Sequence, residues 1–303
     1  MKTILRTFVG CTAILFGTAC MGAVKYVPEN MKVELSLKVP GNNAVNYKLH
    51  PDKLENSYFD YEWRSDNKLP ITVFHKVEER DSCMRLTVQL TAAQDVYFNY
   101  RQLLSTGYRH DNCQFYMPGF WYRRNLRSPK KAPSFHTSDS WLVREDRLSA
   151  PLTGIFSEKE KRFMTVNRLD DFSMDALATH KEGEIILSGK TSLGFTGFEN
   201  QDGITALSFG FPYREAPKSY IRKLTLAPAV EAFQFLKKGE TVLLTWEIQE
   251  NKADDYSDFI CHAWEYSYDT YGPKPVETPN SITDMKQVLS GFFISSFVEG
   301  HPL

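Results

Sequence analysis

The chain is poor in cysteine, lacks a long hydrophobic run and carries almost no net charge. Its 303 residues include 5 cysteines, and 36 basic residues stand against 37 acidic ones, which gives a formal charge of −1 at pH 7. Without a basic excess the chain lacks the electrostatic footprint of a nucleic-acid-binding protein, so we expect no nucleic-acid partner. No CxxC or HExxH spacing occurs, and no dinucleotide or phosphate-loop fingerprint. The sequence therefore predicts no metal site and no cofactor.

The few cysteines also limit covalent cross-linking. Cys11 and Cys20 lie near the N-terminus, so Cys83, Cys113 and Cys261 remain for the body of the chain. Three cysteines cannot supply the disulfide framework that stabilises small secreted domains. A bridge between Cys83 and Cys113 is one alternative, and buried free thiols are the interpretation that we favour.

The N-terminal segment has the pattern of an export signal. A short basic region precedes an apolar run over residues 8–16, which is too short for the roughly 20 residues that a membrane span needs. Small residues then lead to Cys20, in a pattern that resembles the lipobox of bacterial lipoproteins. We therefore predict a leader over residues 1–23 and an exported protein, in the periplasm or at the outer membrane, with a lipid anchor on Cys20. Ordinary cleavage near Ala23 is the alternative.

Between the leader and about residue 250 the chain has the pattern of short strands separated by turns. Apolar and polar residues alternate from Val33 to Val39 and from Met84 to Leu90, with the period of two that is typical of half-buried strands. Further strand candidates are residues 71–77, 96–100, 141–144, 162–167, 184–188, 204–211 and 241–249. Many short strands with few helices predict a large antiparallel β-sandwich over residues 24–250.

After residue 250 the periodicity becomes helical. One predicted helix runs from Ala253 to Tyr271, and a second begins at the capping-box-like sequence 281–284 and continues to Phe297. The predicted fold class is therefore mainly β, with a large antiparallel β-sandwich followed by a short C-terminal helical hairpin over residues 251–303. Two amphipathic helices bury little surface alone, so they either pack back on the strands or begin an (α/α) barrel.

The densest group of charged side chains lies over residues 136–147, where a loop meets a strand. Its candidate ligand contacts are Asp139, Trp141, Arg144, Asp146 and Arg147. Arginine forks match the two oxygens of a carboxylate, as on a uronic acid, and the acidic residues could accept sugar hydroxyls or act as acid and base. The alternative, of equal weight, is an ion-pair network of Arg144, Asp146 and Arg147 that pins the loop.

A second candidate block lies over residues 119–125, inside a long stretch that has no strand pattern. We predict a functional loop there, because long structureless loops are uncommon in compact domains. The ring of Trp121 or Tyr122 could stack on a sugar, while Arg123 or Arg124 binds a hydroxyl or a carboxylate. The alternative is a loop whose aromatic residues plug the edge of the sandwich.

Both blocks contribute to a resemblance. The resemblance rests on the sequences at residues 117–125 and 141–151, which overlap the two blocks. They accompany a predicted export leader, a large predicted sandwich, a strand that ends in Thr-Trp-Glu-Ile and a helix rich in Trp and Tyr. In this combination the chain resembles the N-terminal part of Bacteroidota glycoside hydrolases that place a β-sandwich before an (α/α)6 barrel. In such enzymes the sandwich often lends a loop to the active site, while the acid and base usually come from the barrel.

The resemblance implies an exported carbohydrate-active protein that forms the N-terminal sandwich part of a polysaccharide-degrading glycoside hydrolase. Because the sequence contains only about two barrel-like helices, the resemblance also implies that this chain is not catalytically complete alone, and we assign no catalytic residue. The expected partner is an oligo- or polysaccharide, with uronate-containing glycans as one option. A non-catalytic glycan-binding surface lipoprotein is the alternative, and a structural protein that docks through its second helix is a third.

Overall fold

The computed structural model describes residues 27–127, 132–170, 183–220, 225–227, 229–274 and 280–296, with residues 218–220 and 225–227 described as backbone only. The predicted leader, the predicted lipidation site at Cys20 and the predicted helix end at Phe297 lie outside these residues. The chain divides into two compact units between Ser267 and Tyr268, and each unit is described by itself. The domain boundary predicted after residue 250 stays a prediction.

The first unit consists mainly of antiparallel strands. In chain order its first strands are β1 (Met31–Lys38), β2 (Val45–Lys53), β3 (Tyr61–Arg64), β4 (Ile71–Glu79), β5 (Met84–Ala92), β6 (Val96–Arg109), β7 (Cys113–Met117), β8 (Trp121–Arg123) and β9 (Trp141–Arg144). The remaining strands are β10 (Leu152–Ser157), β11 (Arg162–Arg168), β12 (Gly183–Ile186), β13 (Phe195–Gln201), β14 (Ile204–Phe211), β15 (Arg214–Glu215), β16 (Lys218–Tyr220), β17 (Thr225–Ala227), β18 (Val230–Leu236) and β19 (Thr241–Lys252).

The strands form two main sheets. Sheet 1 has the order β9-β13-β14-β6-β1-β2, and the end of β18 pairs with the start of β6. Sheet 2 has the order β2-β3-β4-β5-β19-β11-β10-β7-β8. Strand β2 belongs to both, because residues 45–49 pair with β1 and residues 50–53 pair with β3. A small third group joins β12, β15 and β18.

The core lies between the inner faces of the two sheets. Val33 and Leu35 of β1 and the alternate residues Met84, Leu86 and Val88 of β5 are buried in one apolar cluster. This burial follows the period-two pattern of the sequence, because successive side chains of a strand point to opposite faces. The mainly antiparallel fold with two C-terminal helices confirms the predicted fold class.

Helix α1 (Tyr256–Tyr271) packs on the outer face of sheet 2. Its buried residues include Tyr256, Phe259 and Ala263, which share one cluster with residues of β7, β10 and β11. A Cβ atom added to Gly154 of β10 would lie 2.6 Å from the ring of Phe259, so only glycine allows this close approach. The first predicted helix therefore packs back on the strands.

The helix begins at Tyr256 rather than at the predicted Ala253. The Asp255 carboxylate accepts hydrogen bonds from the backbone N–H groups of Ser257 at 2.7 Å and of Asp258 at 2.9 Å. This side chain caps two N–H groups that have no partner within the helix, and such a cap fixes where a helix starts.

The second unit contains helix α2 (Ile282–Ser296). The Ser281 hydroxyl accepts a hydrogen bond from the Asp284 N–H at 3.1 Å, and the Asp284 carboxylate accepts one from the Ser281 N–H at 3.1 Å. This reciprocal pair is a capping box and confirms the predicted N-terminus of the helix. No helix among the described residues is both long and apolar enough to cross a membrane.

Candidate functional site

The structure shows where each of the two candidate blocks places its charges. In the block over residues 136–147, Arg144 forms a two-pronged pair with Asp146, with N–O distances of 3.0 and 2.7 Å. The Arg144 guanidinium also lies 4.3 Å from the ring centroid of Tyr213. Arg147 pairs with Glu215 instead, at 3.2 Å. The arginines thus face carboxylates of the protein itself, as the ion-pair alternative predicts, although Glu215 was not among the expected partners.

A buried ion pair connects this block to β11. Arg168 at the end of β11 donates to Glu145 at 2.7 Å and to Asp170 at 2.8 Å, and the N–H of Gly194 also donates to Glu145 at 2.7 Å. Burial raises the pKa of Glu145, and the Arg168 charge opposes that shift. The pair joins β11 of sheet 2 to the end of β9 in sheet 1. We call Arg144, Glu145, Asp146 and Arg147, with Arg168 and Glu215, the paired block.

The tryptophans of both blocks lie in the core. Trp121 has 0% and Trp141 has 3% of its surface exposed, and their ring centroids are 5.5 Å apart. Their indole N–H groups donate to the backbone oxygens of Arg123 and Ser138, at 3.1 and 3.0 Å. The prediction that Trp121 or Trp141 contacts a sugar is therefore wrong for this structure, because neither ring has a free face.

Asp139, the remaining candidate of the first block, lies at the other end of β9 from the paired block. Its carboxylate accepts a hydrogen bond from the Asn200 side chain at 2.7 Å. Its negative charge also raises the pKa of the nearby His110, although burial of the imidazole dominates and the net pKa of His110 is lowered. Asp139 is thus separated from Arg144 and Asp146 by the length of the strand, and the structure does not bring the first block together as one site.

The second block forms one wall of an open cleft of about 880 Å³, whose lining among the described residues consists of Gln114 and residues 122–127. We call it the β8 cleft. The predicted loop contains a short strand, β8, which pairs with β7 in a tight hairpin. Gly119 turns the hairpin with a φ of 79°, and a Cβ atom there would lie 2.8 Å from the Ser149 hydroxyl. The first part of the stretch that has no strand pattern in the sequence therefore forms a hairpin.

Asn125 holds the backbone that follows β8. Arg123 and Asn125 both adopt left-handed conformations, with φ values of 53° and 51°. The Asn125 side chain accepts from the Tyr122 N–H at 3.1 Å and donates to the carbonyls of Phe120 and Pro133, both at 3.2 Å. Asparagine tolerates the left-handed region better than most residues and bonds to local backbone, so this position fixes the shape of the cleft wall.

The cleft contains two arginines that form no ion pair with any described residue, although the N–H groups of Asp258 and Ser257 and, more weakly, the Arg123 charge lower the pKa of the nearby Asp255 carboxyl. Arg123 and Arg127 are exposed, and within the described residues neither has a carboxylate at ion-pair distance. Tyr122 is 49% exposed, and its hydroxyl accepts a hydrogen bond from Gly119 N–H at 3.1 Å. Arg124 is half-buried and serves the fold, because it donates to the carbonyls of Cys113 and Asp111.

The site residues predicted from the sequence did not include Arg127 or the polar outer face of sheet 1. Arg127 belongs to the same basic run as Arg123, so its charge was a usable signal. On the sheet face, Arg101 of β6 pairs with Glu34 at 2.8 Å and with Glu199, and Arg214 pairs with Glu231 at 2.6 Å. Each of these guanidinium groups faces a carboxylate, so the surface resembles the paired block rather than the β8 cleft.

The cysteines follow the interpretation that we favoured. Cys83 and Cys113 are buried free thiols, while Cys261 on α1 is exposed. Burial raises the pKa of Cys113 to about 11, so its thiol is protonated at neutral pH and a poor nucleophile.

Comparisons with known proteins concern the fold. No protein-family model matches the chain, and no curated protein matches it. Among solved structures it is similar to a polysaccharide lyase, with 12% identity and a TM-score of 0.39 over 77% of this chain and 27% of the lyase. It is also similar to a galactose mutarotase-like protein from Clostridium acetobutylicum, with 9% identity and a TM-score of 0.31 over 71% of this chain and 65% of that protein. An alpha-galactosidase from Lactobacillus brevis has 8% identity and a TM-score of 0.26, over 74% of this chain and 29% of that enzyme.

This chain spans about a quarter of the length of the lyase. At these TM-scores the three likenesses do not bear on the activity of this chain.

Proposed function

We propose that this protein is an exported carbohydrate-active protein that binds acidic glycans, the uronate-containing oligo- and polysaccharides, in the β8 cleft. One observation supports the proposal: Arg123 and Arg127 are exposed beside the half-exposed ring of Tyr122, and within the described residues no carboxylate pairs with either guanidinium. A guanidinium fork matches the two oxygens of a uronate. An aromatic face packs against the C–H face of a sugar ring.

The size and the exposure of the cleft suit such a ligand. A volume of about 880 Å³ lies within the range of ordinary small-molecule sites, about 300–1,000 Å³. The cleft is open, so a polymer can lie across it without an end having to enter. Leu126 adds an exposed apolar side chain to the same wall. The cleft therefore offers both apolar and polar contacts to a sugar.

The composition of the cleft supports binding rather than hydrolysis at this place. Its described lining residues are Gln114 and residues 122–127, and none of these carries a carboxylate. Glycoside hydrolysis generally uses two carboxyl groups, one on each side of the bond that breaks. More widely, we propose that this chain is the N-terminal sandwich part of a polysaccharide-degrading glycoside hydrolase. The alternative is that it is a non-catalytic glycan-binding surface lipoprotein.

Calorimetry with paired ligands tests the proposal. A panel of uronate oligosaccharides is titrated into the protein, each beside its neutral, carboxyl-reduced counterpart. We expect the acidic form to bind at least about tenfold more tightly, as one charge-assisted pair would give. Arg123→Gln and Arg127→Gln should each remove most of that preference, while Tyr122→Ala should weaken both forms.

Arg64→Gln is the matched control, because Arg64 of β3 is an exposed arginine that pairs with Asp52 of β2 and Glu62 of β3. It should leave binding unchanged. Equal affinity for acidic and reduced glycans, or an equal loss in the Arg64 variant, would exclude the β8 cleft as an acidic glycan site. New reducing ends produced by the wild-type protein would favour the hydrolase over the binding lipoprotein.

We also propose that the protein is exported and carries a lipid on Cys20. The pattern of the first residues supports this proposal. Cells that express the full chain are labelled with a fatty acid, and the label should appear on the protein and disappear in Cys20→Ala. A secreted, unlabelled protein that begins near residue 24 would contradict lipidation and leave export intact.

A further inference from the structure

The hydroxyl of Tyr256 lies between two paired strands of the β7–β8 hairpin. The strand register pairs Phe115 with Arg123. The Tyr256 hydroxyl accepts a hydrogen bond from the Arg123 N–H at 2.8 Å and donates one to the Phe115 carbonyl at 2.7 Å. A side chain from α1 thus bridges a backbone donor and a backbone acceptor of the same strand pair, at the last residue of β8.

The same tyrosine also contacts the side chain of Arg123. The Arg123 guanidinium lies 4.9 Å from the centroid of the Tyr256 ring, within the distance of a cation–π contact. Tyr256 itself is buried and lies against Tyr116 and Phe259 in the cluster between α1 and sheet 2. A single buried residue therefore holds both the backbone N–H and the charged end of Arg123.

The backbone of Arg123 needs such support. Its φ of 53° is left-handed, a conformation that costs a non-glycine residue free energy and persists where the surroundings impose it. If the hydroxyl were absent, the Arg123 N–H and the Phe115 carbonyl would each lose a partner. A direct bond between them would draw the end of β8 toward β7 and turn the guanidinium away from its present place in the cleft.

We propose that Tyr256 is a positioning residue that presents Arg123 to the carboxylate of an acidic glycan, so that the β8 cleft binds such a glycan only when α1 is packed on sheet 2. The proposal rests on the proposed function for its ligand. It gives α1 a role in ligand recognition, which the helix performs through the contacts of Tyr256 with Arg123 and Phe115.

The test replaces Tyr256 by Phe, which removes the hydroxyl and keeps the ring. We expect the affinity for an acidic oligosaccharide to fall about tenfold, because a displaced guanidinium loses its charge-assisted bond. The affinity for the carboxyl-reduced counterpart should change less than about twofold, because the aromatic face of Tyr122 is untouched. Both titrations are made at a temperature where thermal unfolding shows the variant to be folded.

Tyr266→Phe is the matched control on the same helix. Its hydroxyl donates to Glu247 at 2.5 Å, and neither residue lines the β8 cleft. This variant loses one hydroxyl from α1, as Tyr256→Phe does, but should keep the wild-type preference for acidic glycans. Equal effects of the two substitutions on that preference would overturn the positioning role, because any loss of α1 packing would then suffice.

A readout without ligand separates this inference from the proposed function. Hydrogen exchange of the Arg123 amide should be faster in Tyr256→Phe than in the wild type and in Tyr266→Phe. Unchanged exchange would overturn the positioning role whatever the protein binds. A wild-type protein that binds no acidic glycan, together with faster exchange in Tyr256→Phe, would instead refute the proposed ligand and leave the hold of Tyr256 on Arg123 in place.

Discussion

The paired block and the β8 cleft both contain several arginines, but they use them in opposite ways. In the paired block Arg144 lies 2.7 Å from Asp146, and the buried Arg168 lies 2.7 Å from Glu145. In the β8 cleft Arg123 and Arg127 are exposed, with no carboxylate at ion-pair distance among the described residues. Only the second arrangement leaves guanidinium groups that a ligand carboxylate can reach without displacing an ion-pair partner among the described residues.

The difference shows that the number of charges in a block does not identify a binding site. A guanidinium that already holds a carboxylate in two-pronged geometry has its charge balanced and two of its five donors engaged, so it attracts a uronate less strongly than an unpaired guanidinium does. Moving the guanidinium onto a ligand would leave its carboxylate partner without a countercharge. This costs several kcal/mol of free energy, about 3–5, when the carboxylate is buried. The paired block therefore stabilises the fold, and the β8 cleft is the better candidate for recognition.

The largest expected effect comes from breaking the buried pair. Arg168→Met should lower the free energy of unfolding by about 3–5 kcal/mol, because it leaves Glu145 in the core without its cation. Urea unfolding measures this loss. Glu145→Gln serves as the milder comparison, since a neutral amide replaces the buried charge at nearly the same volume. A loss below about 1 kcal/mol for Arg168→Met would mean that the paired block does not hold the two sheets together.

Two adjacent residues sharpen the comparison within the hairpin. Trp121→Ala should cost about 3–5 kcal/mol of stability, because it removes a fully buried aromatic side chain. Tyr122→Ala should cost only about 1 kcal/mol of stability, because it removes one hydrogen bond to the Gly119 N–H and a half-exposed ring, but should weaken glycan binding. Thermal unfolding and calorimetry on both variants separate the two roles. If Trp121→Ala unfolded no more readily than Tyr122→Ala, Trp121 would not be a core residue.

Local patterns predicted the sandwich well, because they report on local geometry. Strand β5 alternates along its whole length in burial, as its sequence alternates in polarity, and β4, β9 and β14 begin at the residues predicted for them. The start of α1 was misplaced because the cap at Asp255 competes with a helical pattern that extends further toward the N-terminus.

The candidate site could be predicted only in part, because its decisive contacts are distant in sequence. The partners Glu145–Arg168 and Arg147–Glu215 belong to different strands and connections, and no spacing rule joins them. Trp121 and Tyr122 are neighbours, and their opposite exposure depends on how β8 pairs with β7. The contact of Tyr256 with β8 depends on where α1 packs, which the sequence of the helix does not state.

Lowering the pH should reduce the free energy of unfolding through a buried histidine of the core, away from the arginines of the cleft. The buried His75 bonds to the Tyr100 hydroxyl at 2.9 Å, and burial lowers the pKa of its imidazole to about 3. An unfolded histidine binds a proton below about pH 6.5, so the contribution of His75 to stability is present above that pH and is lost progressively as the pH falls toward 3.

Between pH 7 and pH 5 the His75 contribution should fall by about 2 kcal/mol, whereas the cleft arginines stay charged throughout. Urea unfolding at several pH values compares the wild type with His75→Gln, in which the other titrating groups are unchanged. The variant should lose stability less steeply over this interval. Parallel pH profiles for the two proteins would show that His75 takes up its proton as readily in the folded chain as in the unfolded one.

The smallest expected effect comes from a substitution that compares the paired block directly with the β8 cleft. Arg144→Ala removes a pair with Asp146 and a contact with the ring of Tyr213, at a position that is mostly buried. We expect a loss of about 1–2 kcal/mol in the free energy of unfolding and an unchanged preference for acidic over carboxyl-reduced glycans. Arg123→Gln should give the reverse, with a stability loss below about 1 kcal/mol from its contact with the Tyr256 ring and a lost preference. If Arg144→Ala abolished that preference while the protein stayed folded, the carboxylate would be bound at the paired block, because Asp146 and a ligand would then exchange on the same guanidinium.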